Sequence, residues 1–176
     1  MKEFNFTEAT PLLIFFEAFK DKIIGKRLKN LFTMFWPEYN RSVTSCESVI
    51  LEINSYFAVI DYTIPSKLKI VVGTKEEISQ DRFVAEMLHI KDDPVNYYGS
   101  AHGSEVKQEK IENCKITKIG VERFSHSFEC NPCTGEGRPE GGDYFATIRL
   151  YLDSGTVLCI CGASSICDGG TEVWCE

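Results

Sequence analysis

Residues 50–60 read ILEINSYFAVI and residues 150–160 read LYLDSGTVLCI. In both, two apolar runs flank a short polar break, Asn54 and Ser55 in the first and Asp153, Ser154 and Gly155 in the second, which is the pattern of a tight antiparallel hairpin. Working outward, RLKNLFTMFW (27–36) and SVILEIN (48–54) lead into the first hairpin, and LKIVV (68–72) follows it. KITKIGVERFSHSF (115–128) and YFATIRLYLD (144–153) lead into the second, and TVLCICG (156–162) and TEVWC (171–175) complete it. β-Branched and aromatic runs separated by turn residues predict a strand meander in each half, and the order of the runs repeats.

A helix is expected ahead of each meander. Thr10 and Pro11 read as an N-cap and first-turn pair, Leu12, Phe15, Phe16, Phe19 and Ile23 recur at helical spacing, and Gly25 closes the run. The second helix is expected from Thr74, with Glu77 completing a capping box, an apolar stripe of Ile78, Phe83, Val84, Met87 and Leu88, and a stop at Asp93 and Pro94. Residues 91–110 then read as a long polar loop with Tyr97 and Tyr98 as its aromatics. The expected fold class is therefore α+β: two packed helix-plus-antiparallel-meander units, 1–73 and 74–176, packing as one globular domain. Internal duplication and two unrelated meanders sharing turn chemistry both fit the repeat.

Composition sets the functional bounds. A chain of 176 residues can bury roughly 70% of its unfolded surface, so folding demands no disulfide or metal. Hydrophobic residues at 43% and charged residues at 26% are globular values, which removes disordered and fibrous classes. The first 20 residues carry Glu3 and Glu8 where a signal peptide has a basic region, and no apolar run approaches the ~20 residues that cross a bilayer. A cytoplasmic protein is expected, with no membrane partner and with its eight cysteines reduced. The net charge of −7 argues against nucleic acid, which needs a Lys/Arg surface. Residues 1–73 hold nine Lys/Arg against eight Asp/Glu, whereas 74–176 hold ten against eighteen. The acidic surface belongs to the second half, and it serves either solubility or a basic macromolecular partner.

Chemistry concentrates in one hairpin, 130–142, which opens with CNPCTGEG (130–137). Cys130 and Cys133 have the spacing of a thiolate pair, and Cys161 and Cys167 are placed to complete a zinc site, with His126 as a substitute ligand. The alternatives are ordinary thiols filling core volume, as expected of Cys159 and Cys175, and a labile redox pair, which lacks the helix N-terminus that lowers a thiol pKa. CNPCTGEG resembles the CxxCxGxG unit of DnaJ-type cysteine-rich domains. That resemblance implies a metal-ligand role for Cys130 and Cys133, and no chaperone activity, because one unit stands where that family has four and no HPD motif is present.

Glu122, Glu129, Glu136, Glu140 and Asp143 gather in and around the same hairpin. They read as a solvated rim paired with Arg123 and Arg138, or as an acidic docking surface for a basic partner. His89, His102 and His126 read as surface or core histidines, and Trp36, with Pro37 and Tyr39, as a cap on the sheet end. No phosphate-cradle, serine-hydrolase or zincin motif occurs. The expected function is non-enzymatic binding of a basic protein, the alternative a zinc-stabilised interaction module. A small acidic chain without active-site motifs resembles, in charge and size, the bacterial immunity proteins that neutralise nuclease-type toxins. That class implies a basic toxin as partner and no cofactor.

Overall fold

The computed structural model describes residues 1–34, 48–64, 67–80, 106, 108–124, 144–162 and 171–176. In chain order the elements are β1 (Lys2–Phe6), α1 (Ala9–Ile23), β2 (Arg27–Met34), β3 (Ser48–Ile53), β4 (Tyr56–Ile64) and β5 (Lys67–Gly73). There follow α2 (Lys75–Ile78), α3 (Gln108–Ile111), β6 (Cys114–Phe124), β7 (Tyr144–Leu152), β8 (Val157–Gly162) and β9 (Thr171–Cys175). All nine strands join one antiparallel sheet in the order β1-β5-β4-β3-β2-β6-β7-β8-β9.

This corrects the expected α+β class with its two helix-plus-meander units. Antiparallel sheet dominates, and the described helices are α1 of 15 residues and two single turns of four. The physical reason lies in how the strands are covered. The two meanders bury their inner faces against each other, with β4 lying against β8 and β9 and β3 against β9, so neither needs its own helix. Val49, Leu51 and Ile53 of β3 and Ile148, Leu150 and Leu152 of β7 alternate into a single shared core. The Tyr62 amide of β4 donates to Thr171 Oγ1 of β9 at 3.1 Å, tying the meanders together at that end.

Local corrections follow the same logic. β1 is short and half charged, yet Phe4 and Phe6 pack their rings on Phe15 of α1, and the strand adds to the free edge of β5. α1 starts at Ala9 with Glu8 at the N-cap, so Thr10 and Pro11 lie inside its first turn, where a missing amide costs no hydrogen bond. Thr74 does cap α2. The Glu77 amide donates to Thr74 Oγ1 at 3.3 Å and the Thr74 amide to Glu77 Oε2 at 2.9 Å. Gly73 lets this box sit close to the strand end, because a Cβ there would meet Glu77 Oε2 at 3.0 Å. Ser79 is the C-cap of α2, and the expected stripe residues Phe83, Val84, Met87 and Leu88 lie outside the described residues. The end of the loop expected at 91–110 is instead structured, since α3 begins at Gln108 and Val106 and Ile111 are buried in the core.

One junction holds the meanders in one sheet. Among the described residues, β2 and β6 pair at Arg27 with Lys115 and at Leu28 with Cys114. Around that contact the bonds come in matched pairs at one constant sequence offset. The Gly25 amide donates to the Ile116 carbonyl and the Asn113 amide to the Leu28 carbonyl, both at 2.7 Å. Gly25 and Asn113 hold the positive φ that each bend demands, 76° and 59°. Leu28 and Ile116 are both fully buried, and the strand register shifts directly after each. Each hairpin turn then bonds back to the junction. The Arg27 amide donates to Asn54 Oδ1 at 3.0 Å, and the Lys115 amide to Asp153 Oδ1 at 2.8 Å. The amides of Asn54 and Asp153 return the bond to the Arg27 and Lys115 carbonyls, each at 2.9 Å. The junction is thus approximately two-fold about the Arg27·Lys115 pair.

Candidate functional site

Two places combine chemistry with exposure. The first is the outward face of β6–β9. Thr147, Arg149 and Tyr151 alternate away from the core on β7, opposite Cys161, Cys159 and Val157 of β8. Arg149 is the centre of the group. One guanidinium nitrogen lies 3.3 Å from Glu122 Oε2, and the other pairs with Glu176 Oε2 and donates to Cys159 Sγ at 3.6 Å. The carboxylates are 41% and 42% exposed, so the ion pairs form a rim rather than a buried charge cluster. The Arg149 hydrogen bond, reinforced by its charge and by the Trp174 and Cys159 side chains, holds the Glu176 carboxyl below the usual carboxylate range. Two carboxylates therefore share one cation.

Beneath the rim, Cys159, Cys161 and Trp174 form a small apolar cluster of their own. Burial pushes the Cys159 thiol up to about 12, against a smaller opposing pull from Arg149. Burial also pushes the Cys175 thiol, on the inner face, up to about 11. Neither supplies a thiolate at neutral pH, so neither is an activated nucleophile.

The second place is a cavity of about 180 Å³ between α1 and the two meanders. Phe15, Phe16 and Phe19 of α1 roof it, Leu51, Ile53, Ile60, Ile70 and Val72 line it from the first meander, and Ile119, Ile148 and Leu150 from the second. Lys2, Lys22, Tyr56 and Glu77 stand at its polar end. Lys22 Nζ lies 5.5 Å from the Phe19 ring centre and 6.0 Å from that of Tyr56, which is 44% exposed.

Of the expected site residues, Glu122 and Cys161 are described and do not meet. Glu122 pairs with Arg149 where the β6–β7 register shifts, and Cys161 is buried beside Cys159 and Trp174. Glu129, Glu136, Glu140, Asp143, Cys130, Cys133 and Cys167 lie outside the described residues, as do His89, His102, His126, Trp36, Pro37 and Tyr39. Among the described residues no three His, Cys, Asp or Glu side chains come together as a metal-ligand group. Also among them, no helix is long and apolar enough to cross a membrane.

Sequence reasoning missed Arg149, Glu176 and the whole cavity. Strand alternation puts Arg149 on the outer face, but its partners depend on register. Compared with known proteins, the chain matches no protein-family model, no curated protein and no solved structure.

Proposed function

We propose that this is a non-catalytic, cytoplasmic binding protein whose second meander docks on the basic surface of a protein partner. It would act as immunity proteins act on basic, nuclease-type toxins. The observation that carries the reading is the Arg149 rim, where two exposed carboxylates, Glu122 and Glu176, are held in place around a single guanidinium. Arg149 is neutralised within the rim, and Lys118 lies 5.1 Å from the Tyr151 ring centre on the same face, so the two carboxylates are fixed in position between cations. Preorganised carboxylates can occupy the positions of substrate phosphates in a basic cleft, and the surplus acid of residues 74–176 would speed the encounter. The raised thiol of Cys159 fits a binding face better than a reactive one.

The test is native mass spectrometry on whole protein recovered gently from its own cells, followed by binding kinetics with the recovered partner. A basic protein should co-purify. The double charge reversal Glu122→Lys with Glu176→Lys should slow association by about tenfold or more at low salt, with a smaller difference at high salt. Recovery with no protein partner, or association indifferent to both the reversal and salt, would overturn the reading. The same spectrum reads any zinc carried by the expected ligands Cys130, Cys133, Cys161 and Cys167.

A further inference from the structure

We infer that the cavity under α1 is a binding site for a small amphipathic carboxylate, an apolar ring or short acyl chain carrying one negative group. This inference is independent of the docking face, since it uses the opposite, inner side of the sheet.

Size and lining define the apolar part. The inner part of this space of about 180 Å³ is walled by Phe15, Leu51, Ile60, Ile148 and Leu150 and is apolar, with the polar groups confined to one end. Apolar cavities of about 150 Å³ stay dry and take up benzene-sized molecules. The void lies where α1 meets both meanders, and the mouth of a curled sheet is a common place for ligand sites. Its walls come from elements otherwise packed in the core.

The polar end defines the charge. Lys22 stands there over the rings of Phe19 and Tyr56, and among the described residues no carboxylate pairs with it. Lys2 adds a second cation. The single acid at that end, Glu77, is engaged by the Thr74 amide and the Met1 amino group. An anionic headgroup is thus matched by cations it could reach, whereas a cationic one would face Lys22 and Lys2. A buried chain with its carboxylate at Lys22 satisfies both halves of the site.

The probes are octanoate and its uncharged analogue octanol, titrated into the whole protein by calorimetry and methyl NMR. Octanoate should bind saturably at one site and shift the Ile60, Ile148 and Leu150 methyl signals, while leaving Ile50 and Val59 on the outer face unmoved. Octanol should bind the same place about tenfold more weakly, and Lys22→Gln should bring octanoate to the level of octanol. Ile148→Trp, which intrudes on the space without filling it, should weaken binding of both. Should that variant fail to fold, the wild-type methyl shifts still decide the location. Absence of saturable binding, or shifts confined to outer-face methyls, overturns the site. Equal affinity for octanoate and octanol overturns its assignment to an anion.

Discussion

The turns at Asn54 and Asp153 make the same pair of bonds to the first strands of their meanders, yet one loop is a residue longer than the other. The faces above those turns differ more. Outside the first meander, Ile50, Phe57 and Val59 are covered by Ile78 of α2, and the half-buried Asp61 carboxyl is raised by burial with Lys69 pulling it back. Outside the second, Arg149 draws Glu122 and Glu176 together at an exposed rim. The junction is alike on both sides where geometry is demanding, and unlike where the surface is open to solvent. Backbone constraints hold the frame, and the outward positions are free to carry function.

The sharpest way to break the likeness is to remove its two buried plugs. Leu28→Ala and Ile116→Ala should each lower stability by about 2–5 kcal/mol in urea unfolding, because both side chains are fully buried in one core. Similar values support a symmetric junction, and a cost confined to one of them would break it. Next come the bends. Gly25→Ala should cost about 1 kcal/mol, since alanine is strained at a φ of 76°, while Asn113→Gly should be neutral or slightly stabilising at the matching site. Asn54→Ala and Asp153→Ala each remove the side-chain acceptor of a junction amide, at an expected cost of about 0.5–1.5 kcal/mol apiece.

The faces give the smaller effects. Alkylation of Cys159 and Cys175 should stay slow through pH 9 in the folded protein and accelerate on unfolding, because burial holds both thiols far above ordinary values. Rapid labelling of native protein at Cys159 would show that the outer face opens, and at Cys175 that the core does. The Glu176 carboxyl is depressed from 4.5 in the folded state, so its contribution is present above that value and is lost as the pH falls through the lower folded one. Arg149→Gln should remove that acid-limb dependence while changing stability at pH 7 by no more than about 1 kcal/mol, the scale of exposed pairs.

Much of the frame was legible in residue order. Asn54 with Ser55 and Asp153 to Gly155 marked the hairpins, the Phe15–Phe19 stripe marked α1, and Thr74 with Glu77 marked a helix start, because each depends on neighbours a few residues apart. The single sheet was not legible. Among the described residues its strand pairing across the centre is two residue pairs between strands far apart in sequence, reached through bends at positive φ at Gly25 and Asn113. A helical pattern after Thr74 suggested that each meander had its own cover, whereas the inner faces cover each other. The rim was half legible: Glu122 stood out as one of several acids, but its tie to Arg149 and Glu176 follows from strand register. The cavity left no local sign, since every residue lining its walls reads as ordinary core.

Both meanders form one sheet through the junction at Arg27 and Lys115. Through-hydrogen-bond NMR couplings test it most directly. Couplings should run from the Gly25 amide to the Ile116 carbonyl and from the Asn113 amide to the Leu28 carbonyl, with both amides protected from exchange. Absence of both couplings, with the two amides exchanging as freely as solvent-exposed turn residues, would contradict it.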